Sequence, residues 1–173
     1  MKTLILGGVR SGKSRLAEQL ARQSGLPVTY LATAQPGDEE MAARIAHHRA
    51  RRPDNWRLVE EPYHLAEALQ AHTRAGHCVL VECLTLWLTN LLLDPDPGRF
   101  RWEREALLSA LPSLPGRIIL VGNETNLGVI PMGELSRSFC DESGWLHQQL
   151  AQVCERVLLT VAGLPLTLKG EIE

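Results

Sequence analysis

The chain alternates short apolar runs with longer segments in which apolar residues recur every three or four positions. Thr3–Leu6 is an uninterrupted apolar run closed by Gly7 and Gly8, which suits a buried strand. Ser14–Ser24 carries Leu16, Ala17, Leu20 and Ala21 at helical spacing and is stopped by Gly25. Val28–Ala32 predicts the next strand, and Gly37-Asp38 opens a helix that runs to about Arg51, where Pro53 ends it. Arg57–Val59 fits a brief strand and His64–Arg74 a helix. Cys78–Val81 is a strongly apolar strand that ends on an acid, Glu82. Leu84–Leu93 is helical, Asp94–Gly98 a loop, Phe100–Leu111 a helix and Pro112–Gly116 a turn. Arg117–Val121 is another buried strand, followed by a polar loop and a long helix over Glu134–Glu155. Arg156–Val161 and Leu166–Lys169 flank a turn at Ala162-Gly163 and predict a hairpin. Strands that alternate with helices predict an α/β fold: a mostly parallel sheet flanked by helices, closed by one antiparallel hairpin strand.

Composition narrows the class without naming a function. The chain has 173 residues, enough for one domain, and is 45% hydrophobic and 22% charged. A formal charge of −2 gives no basic field for nucleic acid. Cys78, Cys83, Cys140 and Cys154 are scattered with no C-x-x-C pair, as expected of reduced thiols in the cytoplasm. The N-terminal apolar run is too short for a signal peptide, and Cys83–Leu93 falls short of the roughly 20 residues that cross a bilayer.

The strongest chemical signal lies between the first strand and the first helix. Gly7, Gly8, Val9, Arg10, Ser11, Gly12, Lys13 and Ser14 fit G-x-x-x-x-G-K-[ST]. Glycines let successive backbone N–H groups curl around phosphate oxygens, and the helix N-terminus adds partial positive charge. In that setting Lys13 reaches the β- and γ-phosphates and the Ser14 hydroxyl ligates Mg²⁺. The chain is therefore expected to be a P-loop NTPase of the RecA-like kind. The loop needs an acidic partner, and Glu82 and Glu124 each end a buried strand on the expected side of the sheet.

A second signal is the run Arg44-Ile-Ala-His-His-Arg-Ala-Arg-Arg52. On a helix, His48 shares the stripe of Met41, Ala42 and Ile45, whereas His47 shares a polar face with Glu40, Arg44 and Arg51. Three readings compete: a solvated charged face, a metal site, and a nucleophile. Adjacent histidines diverge on a helix and arginines repel a cation, which counts against metal. Arginines also oppose protonation of an imidazole, leaving a lone pair free at neutral pH, and they would bind phosphates. A phosphoramidate intermediate is accepted histidine chemistry.

The segments GGVRSGKSRLAE, YLATAQ, DEEMAARIAHHRARRPDNW, LVECLTLWLTNLL and GNETNLGVIP occur in this order over nearly the whole chain. Together they resemble the bifunctional adenosylcobinamide kinase / adenosylcobinamide-phosphate guanylyltransferase family of cobalamin biosynthesis, with Asp38–Trp56 the most specific block. The resemblance implies two reactions. ATP or GTP phosphorylates the aminopropanol hydroxyl of adenosylcobinamide; GTP then donates GMP to that phosphate through a guanylylated histidine. The modified histidine falls on His47. Gly7–Ser14 falls on the family's nucleotide loop, and Thr33, Ala34, His48, Arg49, Ala50, Arg51, Glu60 and Glu82 fall where guanine nucleotide is contacted. Ser14 and Glu82 would hold Mg²⁺. The resemblance also implies a homo-oligomer, a trimer, to which the apolar face of Leu86–Leu93 could supply contacts. Asn126-Leu127 departs from the family, which more often has a glycine-containing turn there. Pro36-Gly37 and Pro53 bracket a unit able to swing toward the P-loop.

Two rival readings remain at this level. A monofunctional P-loop kinase of a small metabolite predicts phosphoryl transfer and no covalent GMP. A nucleic-acid-binding ATPase is disfavoured by the negative charge and by only 5% aromatic residues. Trp87, Trp102 and Trp145 read as core or interface, and Cys83 as a small buried hydrophobe.

Overall fold

A computed structural model describes residues 1–35, 37, 39 and 53–171. His47, His48, Arg49, Ala50 and Arg51, with most of the helix expected around them, lie outside the described residues. Among those described, seven strands form one sheet: β1 (Lys2–Gly7), β2 (Val28–Ala32), β3 (Arg57–Glu60), β4 (Cys78–Glu82), β5 (Arg117–Asn123), β6 (Arg156–Val161) and β7 (Leu164–Lys169). Their spatial order is β3-β2-β4-β5-β1-β6-β7. Every pairing is parallel except the closing β6–β7 hairpin, as the sequence pattern predicts.

The period-two geometry of strands divides the core into two layers. Leu4, Leu6, Leu31, Val79, Val81, Ile118 and Leu120 point to one face. There they meet α2 (Leu65–His72), α3 (Leu84–Leu92), α4 (Pro97–Ala110) and α5 (Glu134–Val153). Ile5, Val28, Tyr30, Leu80, Ile119 and Val121 point to the other face and meet α1 (Lys13–Gln23) through Ala17, Leu20 and Ala21. The central strands are buried on both sides, which explains why they read as continuous apolar runs rather than alternating ones.

Two expectations need correction. Asp94–Gly98 is only partly a loop. Asp96 caps α4 by accepting a hydrogen bond from the Gly98 N–H at 2.9 Å, and Pro97 opens the helix, where its missing N–H costs nothing. The apolar face of Leu86–Leu93 is also not left for a partner. Leu84, Trp87, Leu88 and Leu91 are buried in the chain's own core, and of this segment only Leu93 is strongly exposed. The tryptophans divide: Trp87 is fully buried, while Trp102 and Trp145 are more than half exposed.

At the amino ends of the strands, opposite the end that carries the glycine loop, Thr29 Oγ1 and His77 Nε2 lie 2.9 Å apart, both buried. Burial first, then Arg74, His72 and Arg57, hold the His77 imidazole below its ordinary pKa. The unfolded side chain takes its proton near pH 6.5. The stability that neutral His77 contributes is therefore complete above that pH and is lost as pH falls toward the depressed folded value. His77→Gln is expected to flatten the fall in urea stability between pH 7.5 and 5.5, by at most about 1.4 kcal/mol per pH unit. An unchanged slope would show that another group carries the dependence.

Candidate nucleotide site

The phosphate loop leaves the end of β1 and enters α1 through a left-handed Gly12, whose φ of 98° favours glycine. Two further constraints fix its shape. The Ser11 N–H donates to the Gly8 carbonyl at 3.2 Å, and the Gly163 N–H of the hairpin turn donates to the Ser11 carbonyl at 2.8 Å. A Cβ on Gly7 would lie 2.6 Å from the Thr160 carbonyl, and one on Gly12 would lie 3.1 Å from Gly163 Cα. The β6–β7 hairpin thus forms the floor of the loop, which needs glycine where it approaches most closely. Val9 and Arg10 are exposed at the crest, Arg10 with a φ of 57°.

Lys13 folds back over this loop. Its Nζ donates to the Gly8 carbonyl at 3.1 Å, and the residue is only 8% exposed. Burial lowers its pKa, with Glu82 and then Cys83 acting the other way. A partly desolvated ammonium held by one carbonyl is suited to exchange that carbonyl for phosphate oxygens. The Ser14 hydroxyl donates to Glu82 Oε1 at 2.7 Å, because α1 crosses over β5 onto β4 and carries its first turn to the end of that strand. Of the two acids the sequence offers, Glu82 is therefore the partner of Ser14. The hydroxyl and carboxylate make a pair of hard oxygen donors, the chemistry Mg²⁺ requires.

Neighbouring groups hold this arrangement. Thr33 is fully buried; its hydroxyl donates to the Cys83 carbonyl at 2.7 Å and accepts from the Cys83 N–H at 2.8 Å. The Thr33 N–H donates to the Glu82 carbonyl, and its own carbonyl accepts from Asn90. Thr33 is thus a tie between the ends of β2 and β4, its polar groups already engaged within the protein, and Ala34 follows it half-buried. Cys83 is a buried thiol, pushed up to about 11 by burial and by Glu82.

The structure brings Gly7–Ser14 and Glu82 together but sets Glu60 apart. Glu60, Ala32, Glu82 and Val121 lie in register across the sheet. Glu60 stands on the exposed edge strand β3, four strand spacings from β1, or about 19 Å. It stands at the same carboxyl end of the sheet as Glu82, two strand spacings from that residue.

Glu124 belongs to the site by a different route. Gly7 and Asn123 are register partners, and the Glu124 N–H donates to the Gly7 carbonyl at 3.0 Å. Here β1 leads into α1 on one face and β5 leads toward α5 on the other, so the topology switches between them at the carboxyl ends of the strands. That is the usual place for ligands in an open α/β sheet. His147 of α5 reaches the same place, close against Gly122, where a Cβ would stand 3.1 Å from the imidazole Nε2. Sequence reasoning missed His147; the only signal was a lone histidine in a long helix.

A family model for cobinamide kinase / cobinamide phosphate guanyltransferase matches residues 3–168. A bifunctional adenosylcobalamin biosynthesis protein of Pseudomonas aeruginosa is 67% identical over 171 residues, covering 99% of both chains. One from Escherichia coli is 41% identical, covering 98% of this chain and all of that protein. A solved Pyrococcus horikoshii structure shares the fold at a TM-score of 0.53 and 12% identity, covering 99% of this chain and 87% of the other.

Proposed function

The chain belongs to the cobinamide kinase / cobinamide phosphate guanyltransferase family and is a bifunctional enzyme of cobalamin biosynthesis, and from that premise we propose how its residues divide the two reactions. Residues Gly7, Gly8, Val9, Arg10, Ser11, Gly12, Lys13 and Ser14 bind the triphosphate of ATP or GTP. Ser14 and Glu82 hold Mg²⁺, which when bound offsets charge on the phosphate oxygens. The observation that carries this reading is the 2.7 Å bond from Ser14 to Glu82, a ready pair beside a glycine cradle.

In the kinase reaction the loop amides and Lys13 stabilise charge spread over the γ-phosphoryl group as the adenosylcobinamide hydroxyl attacks. In the transferase reaction His47 attacks the α-phosphorus of GTP, pyrophosphate departs, and the cobinamide phosphate then takes GMP from the imidazole, giving adenosylcobinamide-GDP. His48, Arg49, Ala50, Arg51 and Glu60 serve the guanine nucleotide in that second reaction. Thr33 and Ala34 shape the site through the backbone. Residues 1–173 act as one nucleotide-binding domain, in the cytoplasm and as a homo-oligomer, with a trimer the state to test by light scattering. Among the described residues no helix is long and apolar enough to cross a membrane.

Incubation with GTP labelled at the α-phosphate tests the division. The wild-type protein is expected to acquire an acid-labile label, and His47→Asn to lose it while keeping kinase turnover within a few-fold. Label that persists in the variant would remove His47 from the nucleophile's role.

A further inference from the structure

A kinase that phosphorylates an alcohol must also dispose of the alcohol's proton, and none of the residues assigned above does so. Glu82 is engaged by Ser14, and Lys13 is a cation. Glu124 is the other carboxylate placed at the phosphate loop. Its backbone is pinned to Gly7, and its side chain is only 16% exposed. Oε1 accepts from the Asn126 N–H at 2.7 Å, while Oε2 faces His147 Nδ1 at 3.8 Å. A carboxylate offers about four lone-pair positions, so these neighbours leave room for a further donor. His147 Nδ1 is buried and has no hydrogen-bond partner among the described residues. Burial lowers the His147 pKa, with Glu124 opposing, so the imidazole is neutral beside the carboxylate at neutral pH.

The bond from the Glu124 N–H to the Gly7 carbonyl places this residue beside the phosphate loop, at the topological switch between β1 and β5 where a γ-phosphoryl acceptor has to enter. From Glu124 the chain runs on through Leu127, Val129, Ile130 and Met132, all strongly exposed, an apolar lip next to the acid that suits a bulky acceptor with hydrocarbon surface.

We propose that Glu124 is the general base of the kinase reaction: its carboxylate accepts the proton of the cobinamide hydroxyl as that oxygen bonds to the γ-phosphorus. The bond from the γ-phosphorus to the bridging oxygen breaks with its electron pair, nucleoside diphosphate leaves, and the proton passes from Glu124 to water. His147, 3.8 Å behind Oε2, is a positioning residue that limits the carboxylate's movement by packing rather than by a hydrogen bond. The inference rests on the two-reaction reading above, and the two reactions separate its failure from that of the reading. Guanylyl transfer to adenosylcobinamide phosphate supplied directly needs no hydroxyl deprotonation.

Glu124→Gln preserves an oxygen for the Asn126 N–H, so the loop keeps its shape. Kinase kcat is expected to fall about 10²–10³-fold. The KM for nucleotide and the rate of guanylyl transfer should stay within about threefold of wild type. His147→Asn should lower kinase kcat about tenfold at unchanged KM, and the double variant should be no slower than Glu124→Gln alone. The proposal is overturned if Glu124→Gln keeps kinase kcat within fivefold, if both activities fall together, or if added Mg²⁺ restores the rate. Multiplicative losses in the double variant would overturn the role of His147. Loss of both activities in the wild-type protein would instead sink the two-reaction reading.

Discussion

Lys13→Met is expected to lower kinase turnover about 10³-fold while leaving thermal stability unchanged or slightly higher. The two halves of that expectation have one cause. Lys13 carries a positive charge into a site where burial already lowers its pKa, held in the free protein by one carbonyl at 3.1 Å. Methionine keeps most of the apolar stem and removes the buried charge, so the free protein loses a desolvation cost along with one hydrogen bond. The transition state loses more. A preorganised charged donor aimed at the transferring phosphoryl group has no replacement, and a single such donor contributes about 10²–10³ in rate. Kinase assays beside a thermal melt check both halves. A rate within tenfold of wild type would mean that Lys13 does not face the γ-phosphoryl group.

The largest expected effect on stability comes from Trp87→Ala. Trp87 is wholly buried between the sheet and the helical layer, and its Nε1–H donates to the Tyr63 carbonyl at 2.7 Å. Truncating a buried tryptophan to alanine costs about 3–5 kcal/mol, against a total of about 5–15 kcal/mol for an ordinary domain. At roughly 2–4 °C per kcal/mol for a chain of this size, Tm should fall on the order of 10 °C. Trp87→Phe separates packing from the bond: a cost of about 1–3 kcal/mol is expected, chiefly from the unpaired Tyr63 carbonyl. A loss below about 1 kcal/mol for the alanine variant, in urea unfolding, would mean that neighbouring side chains collapse into the space.

These two residues also show where sequence reading succeeds. Lys13 was legible because the whole motif is local: eight consecutive residues, a strand before and a helix after. Glu82 was legible because CVLV precedes it without a polar break, and such runs form strands buried on both faces. The closing hairpin followed from a short turn between two apolar stretches. Trp87 differs from Trp102 and Trp145 in its surroundings, since LTLWLTNLL is apolar on most sides whereas Trp102 lies between Arg101 and Glu103. That difference was there to be used, yet one reading covered all three.

What escaped the sequence depends on pairs distant along the chain. His147 stands beside Glu124 because Gly122 leaves space for an imidazole from a helix on the opposite side of the loop. The hydroxyl and backbone of Thr33 join two strand ends that the sequence separates by fifty residues. Glu60 shares the carboxyl end of the sheet with Glu82, two strand spacings away, a placement set by strand order that no local pattern announces. The helix start at Pro97 was missed because Asp-Pro-Asp-Pro-Gly reads as a turn, although Asp followed by Pro is also a helix opening.

The position of β1 has a consequence for how the protein comes into being. β1 is flanked by β5 and β6, whose residues begin at Arg117 and Arg156. Its edges therefore stay unpaired until the chain has been made past Arg117, and the floor beneath the glycine turn arrives only with the β6–β7 hairpin. Such long-range pairing slows folding and leaves apolar edges open to wrong partners in the meantime. Nucleotide cannot rescue a nascent chain early, because the cradle that grips it lacks its floor until Thr160 and Gly163 have been made.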